Sequence, residues 1–94
     1  MYYILFYKTV ENYTEKRIPY RDEHLAYARQ AHEKGELIMA GALDNPADGA
    51  VLIFRCENEK TAEDFAKNDI YVRQGLIQQW QVRKWNPVIG TDNS

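Results

Sequence analysis

Cysteine is almost absent from this sequence, and its one copy, Cys56, has no partner for an internal disulfide. Long apolar runs are missing too. No stretch approaches the ~20 residues needed to span a bilayer, and the apolar opening Tyr2 to Tyr7 is too short and too early for a secretory leader, so cytosol is the expected compartment. Neither sign of charge dominates: 12 Lys and Arg stand against 14 Asp and Glu, a formal net charge of −2, which leaves no basic field for nucleic acid or anionic lipid. Two histidines and one cysteine are too few for a closed metal site. There is no glycine-rich phosphate loop and no serine or cysteine in a recognisable nucleophile setting. Partners are therefore expected to be a small-molecule substrate or further copies of the chain, with no cofactor.

What is present reads as one small domain of 94 residues, ending in a polar tail, Gly90 to Ser94, that is expected to be disordered. Tyr2 to Lys8 is aromatic and β-branched without polar alternation, which predicts a strand buried on both faces. A helix is expected from about Pro19 to Lys34, with Gly35 past its end and Leu25, Ala28, Ala31 and His32 on its inner stripe. Glu36 to Leu43 and Ala50 to Cys56 follow as a hairpin around the turn Asp44 to Gly49. Asn58 suits the cap of a second helix over Glu59 to Lys67, and Leu76 to Trp85 gives the last strand.

The order βαββαβ, with right-handed crossovers, predicts an α+β ferredoxin-like sandwich with strands arranged 4-1-3-2 and both helices on one face. The apolar residues of the other face, with Trp80 and Val82 or with Trp85, then need a cover, and a second copy of the chain would supply it. An RNA-binding use of the same topology is disfavoured, because the third strand opens with Asp48-Gly49-Ala50-Val51-Leu52 where base-stacking aromatics would be needed.

Two polar residues break the apolar stripes. Ala62, Phe65, Ala66 and Asp69 recur at helical spacing, which puts a carboxylate where a leucine would be expected, and His24 lies beside the inner face of the first helix. A buried carboxylate needs a partner, and the histidine is the natural one; the alternative is that Asp69 turns outward at the helix end. Arg21, one turn before His24, would suit a carboxylate or enolate substrate, or else pairs with Asp22 or Glu23. Tyr71 places a phenol at a pocket rim or serves packing; Gly41 lets a ligand approach the backbone or relaxes a strand. His32 and Cys56 are read as structural, and Lys8 to Arg17 as a solvated loop able to fold over a pocket.

Glu15-Lys16-Arg17 followed by Arg21-Asp22-Glu23-His24-Leu25, Gly35-Glu36-Leu37 with Ala40-Gly41, and Asp69-Ile70-Tyr71 with Gly75 resemble, in order and spacing, the YciI-like (YCII-related) proteins. The resemblance covers nearly the whole chain, residues 1 to 89. It implies a ferredoxin-like subunit forming a dimeric α/β barrel, with a His/Asp pair in a pocket at the positions of His24 and Asp69. The wider family looks like small cofactor-free enzymes, dehydrochlorinases and muconolactone-isomerase relatives among them, acting on ring-derived substrates. Ile70 and Ala42 stand where the family has proline, and Ile70 is expected to let the second helix run on slightly and move Asp69. The chemistry implied is His/Asp acid-base catalysis by a lyase, isomerase or hydrolase, with either residue as the base. The alternative is a non-catalytic dimeric module that binds a small molecule or assists another protein.

Overall fold

The computed structural model describes residues 1–90, so the tail from residue 91 lies outside the described residues. Strand β1 (Tyr2–Thr9) leads through a short helix α1 (Tyr13–Lys16) and a 3-10 turn (Ile18–Tyr20) into α2 (Arg21–Glu33). The hairpin β2 (Leu37–Ala42) and β3 (Gly49–Arg55) follows. Helix α3 (Lys60–Asn68), a second short helix α4 (Ile70–Arg73) and β4 (Ile77–Trp85) complete the chain. The sheet is antiparallel throughout, ordered β2-β3-β1-β4, which is the expected 4-1-3-2 arrangement. Among the described residues no helix is long and apolar enough to cross a membrane.

Strand β1 fixes which side chains meet the helices. Tyr3, Leu5, Tyr7 and Thr9 are buried on one face, where Leu52, Phe54 and Ala50 of β3 join them under Phe65, Ala62 and Ala66 of α3. Burying each large apolar side chain of this layer is worth about 1.5–3 kcal/mol. Within the single chain the opposite face stays open: Phe6 is 40% exposed, because both long helices lie on the Tyr7 side. Cross-strand register also sorts the tryptophans. Trp80 pairs with Tyr7 and Val82 with Leu5 on the helix face, whereas Trp85 pairs with Tyr2 on the open face.

Three local features depart from the sequence reading. The stretch from Lys8 to Arg17 is only partly a solvated loop, since Tyr13 folds inward from α1 and is 5% exposed. His32 is exposed at the end of α2 rather than in the core, with its Nδ1 2.7 Å from the Leu37 carbonyl. The second helix does not run on through Ile70: Asp69 is extended (ψ 129°) and its side chain caps α4 by accepting the Tyr71 N–H. The cap gives the Tyr71 amide a partner outside α3, so the chain leaves that helix at Asp69 without a proline at position 70. Gly49 permits a close strand crossing, because a Cβ there would lie 2.8 Å from the Tyr7 carbonyl oxygen.

Candidate active site

Two helix ends meet over β1. His24 occupies the first turn of α2, and Asp69 the break between α3 and α4. A hydrogen bond from the Tyr27 hydroxyl to the Phe65 carbonyl (2.9 Å) and stacking of the two rings (centroids 4.5 Å apart) tie α2 to α3. That tie sets the distance across which the imidazole and the carboxylate face each other.

Asp69 is fully buried, and three donors converge on it. His24 Nδ1 lies 2.8 Å from Oδ1, the Tyr71 N–H donates to the same oxygen at 3.0 Å, and the Tyr7 hydroxyl donates to Oδ2 at 2.7 Å. A buried carboxylate so surrounded has its acceptor sites filled, which answers the cost of placing it in the core. Burial first, and then the charge and hydrogen bond of Asp69, pushes the Tyr7 phenol far above its ordinary range, so Tyr7 remains a donor. With Nδ1–H held by Asp69, His24 keeps Nε2 as the nitrogen with a free lone pair. An imidazole fixed in that tautomer can take a proton while its charge is compensated from behind.

Rings hold the imidazole flat. His24 stacks on Tyr71 at 3.8 Å between centroids and 6° between planes, and Tyr13 meets the Tyr71 ring edge-on at 5.8 Å. Arg17 lies over the Tyr13 ring, 5.1 Å from its centroid. Burial, followed by the neighbouring Tyr13, pushes the Tyr71 phenol up to about 12, against the opposing pull of Arg17 and Arg21.

These residues close one part of a cavity of about 460 Å³ that runs between α2 and β2. Tyr7, His24 and Tyr71 line it together with Arg17 and Arg21; Leu25, Ala28, Ala50 and Leu52 supply apolar wall. Gly41 also lines it, on the edge strand β2, with open space where a Cβ would be. Arg21 is not in the ion pair considered from sequence: Glu23 reaches Arg73 instead, at 3.6 Å. His32, read as purely structural, lines the cavity as well. Among the described residues no group of three or more His, Cys, Asp and Glu side chains is placed to hold a metal ion.

The sequence alone gives Tyr7, Tyr13 and Arg17 no site role. Tyr7 reads as one more strand aromatic until its hydroxyl is seen on Asp69. The signal for the other two was an aromatic and an arginine at i, i+4 inside a polar stretch.

The family model described as the YCII-related domain matches residues 1–86. The chain is 34% identical over 97 aligned positions to an uncharacterised protein of Haemophilus influenzae, spanning 94% of this chain and 99% of the relative. It is 29% identical, with the same coverage, to protein YciI of Escherichia coli. Among solved structures, 5-chloro-2-hydroxyhydroquinone dehydrochlorinase (TftG) from Burkholderia phenoliruptrix, complexed with 2,5-dihydroxybenzoquinone, superposes with a TM-score of 0.77 at 23% identity. The match covers 92% of this chain and 94% of that one, a likeness of fold.

Proposed function

The chain belongs to the YCII-related domain family, and from that premise we propose that it is a small enzyme using His24 and Asp69 for proton transfer on a small, ring-derived organic substrate, without a bound cofactor. The observation that carries the reading is the 2.8 Å contact between His24 Nδ1 and the buried Asp69 Oδ1 at the wall of a cavity. In this reading His24 is the general base. Nε2 takes a proton from carbon or oxygen of the bound substrate, the imidazolium is stabilised by Asp69, and the electron pair released moves into the substrate. Return of the proton to another atom gives isomerisation; departure of an anionic leaving group, with its bond electrons, gives elimination. The dehydrochlorinase activity named for the structural neighbour supports elimination as the first reaction to test.

The roles of the remaining residues follow from their places. Arg21 offers a cation one turn from His24, Tyr71 is the platform that keeps the imidazole in plane, and Gly41 leaves room for substrate at the β2 edge. Tyr7 is a positioning residue that holds the second oxygen of Asp69. Asp69 is the weaker candidate for base, since all its contacts come from donors and it is fully enclosed.

The working unit in this proposal is a twofold dimer packed through the open face of the sheet. Phe6 (40% exposed), Met39 (62%) and Trp85 (40%) are exposed there beside Ile4 and Ile53, an apolar surface that a monomer has little reason to keep.

The test requires no known substrate. Proton abstraction at carbon exchanges hydrogen for deuterium in D2O, so a panel of halogenated hydroquinones, unsaturated lactones and cyclic oxo acids is followed by proton NMR with wild type, His24→Asn and Asp69→Ala. Exchange or halide release that both substitutions abolish, in folded proteins, supports the reading. Turnover that survives His24→Asn refutes it.

A further inference from the structure

The cavity collects positive charge that the chain as a whole does not have. Arg17, Arg21 and Arg29 all line it and no aspartate or glutamate does, in a protein with 14 acids against 12 bases. Of the two acids that follow Arg21, Glu23 is engaged by Arg73 and Asp22 is exposed, and among the described residues neither Arg17 nor Arg21 has a carboxylate within ion-pair distance. Arg17 is half-buried and held: its guanidinium lies over the Tyr13 ring, Tyr13 abuts Tyr71, and Tyr71 stacks on His24. A guanidinium laid on a ring face keeps its in-plane N–H groups free for a planar acid, so little freedom is lost when one binds. The neighbouring wall, Leu25, Ala28 and Leu52, is apolar.

We infer that the cavity selects anions: its ligand is a small organic acid whose carboxylate or ionised enol is held by Arg17 and Arg21, while its carbon body lies along the apolar wall beside His24. The inference rests on the proposed function only in taking this cavity as the substrate site. It assigns Arg17, which has no site role on sequence grounds alone, as a specificity-determining residue. It also gives the proton transfer a direction, because an enolate formed next to His24 would develop its negative charge towards the two guanidiniums. Arg17, half-buried beside the apolar wall, is screened less by solvent than the exposed Arg21 and contributes the larger share of this preference.

The experiment compares salicylate with its neutral counterpart salicylamide, titrated into the protein and followed in the amide nitrogen–proton spectrum. Salicylate is expected to bind about tenfold more tightly or better, to shift the amides of α2 and β2, and to weaken with added sodium chloride while salicylamide does not. Arg17→Met combined with Arg21→Met should bring the two ligands to within about twofold without weakening salicylamide, which separates loss of charge from loss of fold. The charge preference is read from binding alone and the catalytic reading from exchange or halide release, so a failure of either leaves the other standing. Equal binding of the two probes, no binding of either, salicylate shifts confined to the open face of the sheet, or a preference that survives the double substitution would each overturn the inference.

Discussion

Tyr3 and Tyr7 offer a controlled experiment within one strand. They lie two side chains apart on the same face of β1, 6% and 5% exposed, and differ chiefly in what the hydroxyl touches. The Tyr7 hydroxyl donates to Asp69 Oδ2 at 2.7 Å; that of Tyr3, among the described residues, has only the Met1 sulfur at 3.9 Å. Replacing either with phenylalanine removes one oxygen and leaves the ring in place, so no large cavity opens. A hydrogen bond to a charged group contributes about 1.5–3 kcal/mol, and a buried acceptor left unpaired costs its desolvation. Tyr7→Phe should therefore destabilise by about 2 kcal/mol, which for a domain of this size lowers Tm by roughly 8–16 °C. Tyr3→Phe should cost less than about 0.5 kcal/mol, since a thioether is a weak acceptor. Urea and thermal unfolding followed by circular dichroism measure both, under conditions where each variant is in the same oligomeric state. If the two substitutions fall within about 0.5 kcal/mol of each other, the Tyr7 hydroxyl is not what satisfies Asp69, and the account of the buried carboxylate is wrong.

Asp69→Asn should fold, with the amide oxygen where two N–H donors converge and the NH2 group against Tyr7, whose hydroxyl rotates to accept; deuterium exchange into substrate should nonetheless fall by about 10²–10⁴, because a neutral amide does not stabilise the imidazolium. Full activity in this variant would assign the carboxylate a purely structural role. Burial and the charge of Asp69 push the Tyr27 phenol from 10.0 to about 12, and Tyr71 is raised equally, so the folded state keeps protons that the unfolded chain releases near 10. The stability these two phenols contribute is thus complete below pH 10 and lost as pH rises towards about 12. Tyrosinate absorbance followed beside circular dichroism should show phenols that ionise only as the fold is lost, and seven tyrosines titrating together in a native protein would contradict this. Phe6→Glu on the open sheet face should convert a dimer to a folded monomer in analytical ultracentrifugation, whereas an unchanged mass would place any assembly elsewhere.

Much of this architecture is legible from periodicity. The stripe Ala62, Phe65, Ala66, Asp69 is buried throughout, and the spacing alone marks the carboxylate as an intruder with a partner to be found. His24 is that partner in space, and the hairpin, the strand order and the Gly35 helix end (φ +80°) follow from pattern and turn chemistry. Other parts depend on tertiary contacts that no local pattern records. The break at Asp69 arises from one side chain accepting the Tyr71 amide, so Ile70 begins a new helix where propensity would extend the old one. The α1 turn is four residues long and owes its place to Tyr13 packing on Tyr71, a contact between residues far apart in sequence. Strand β1 reads as buried on both faces because its sequence is; the single chain covers only one, and the half-exposed Phe6 face is where pattern and monomer disagree.

The most direct test is the tautomer of His24 in the neutral protein at alkaline pH, read from nitrogen–proton correlations of the imidazole. His32→Gln serves as background, because the Leu37 carbonyl also fixes the His32 ring with Nδ1–H donating. His24 is expected to carry its proton on Nδ1 and leave Nε2 bare, with the preference reverting to Nε2–H in Asp69→Ala. A wild-type His24 that already carries its proton on Nε2 would contradict it, since the nitrogen assigned to take the substrate's proton would then have none of the capacity required.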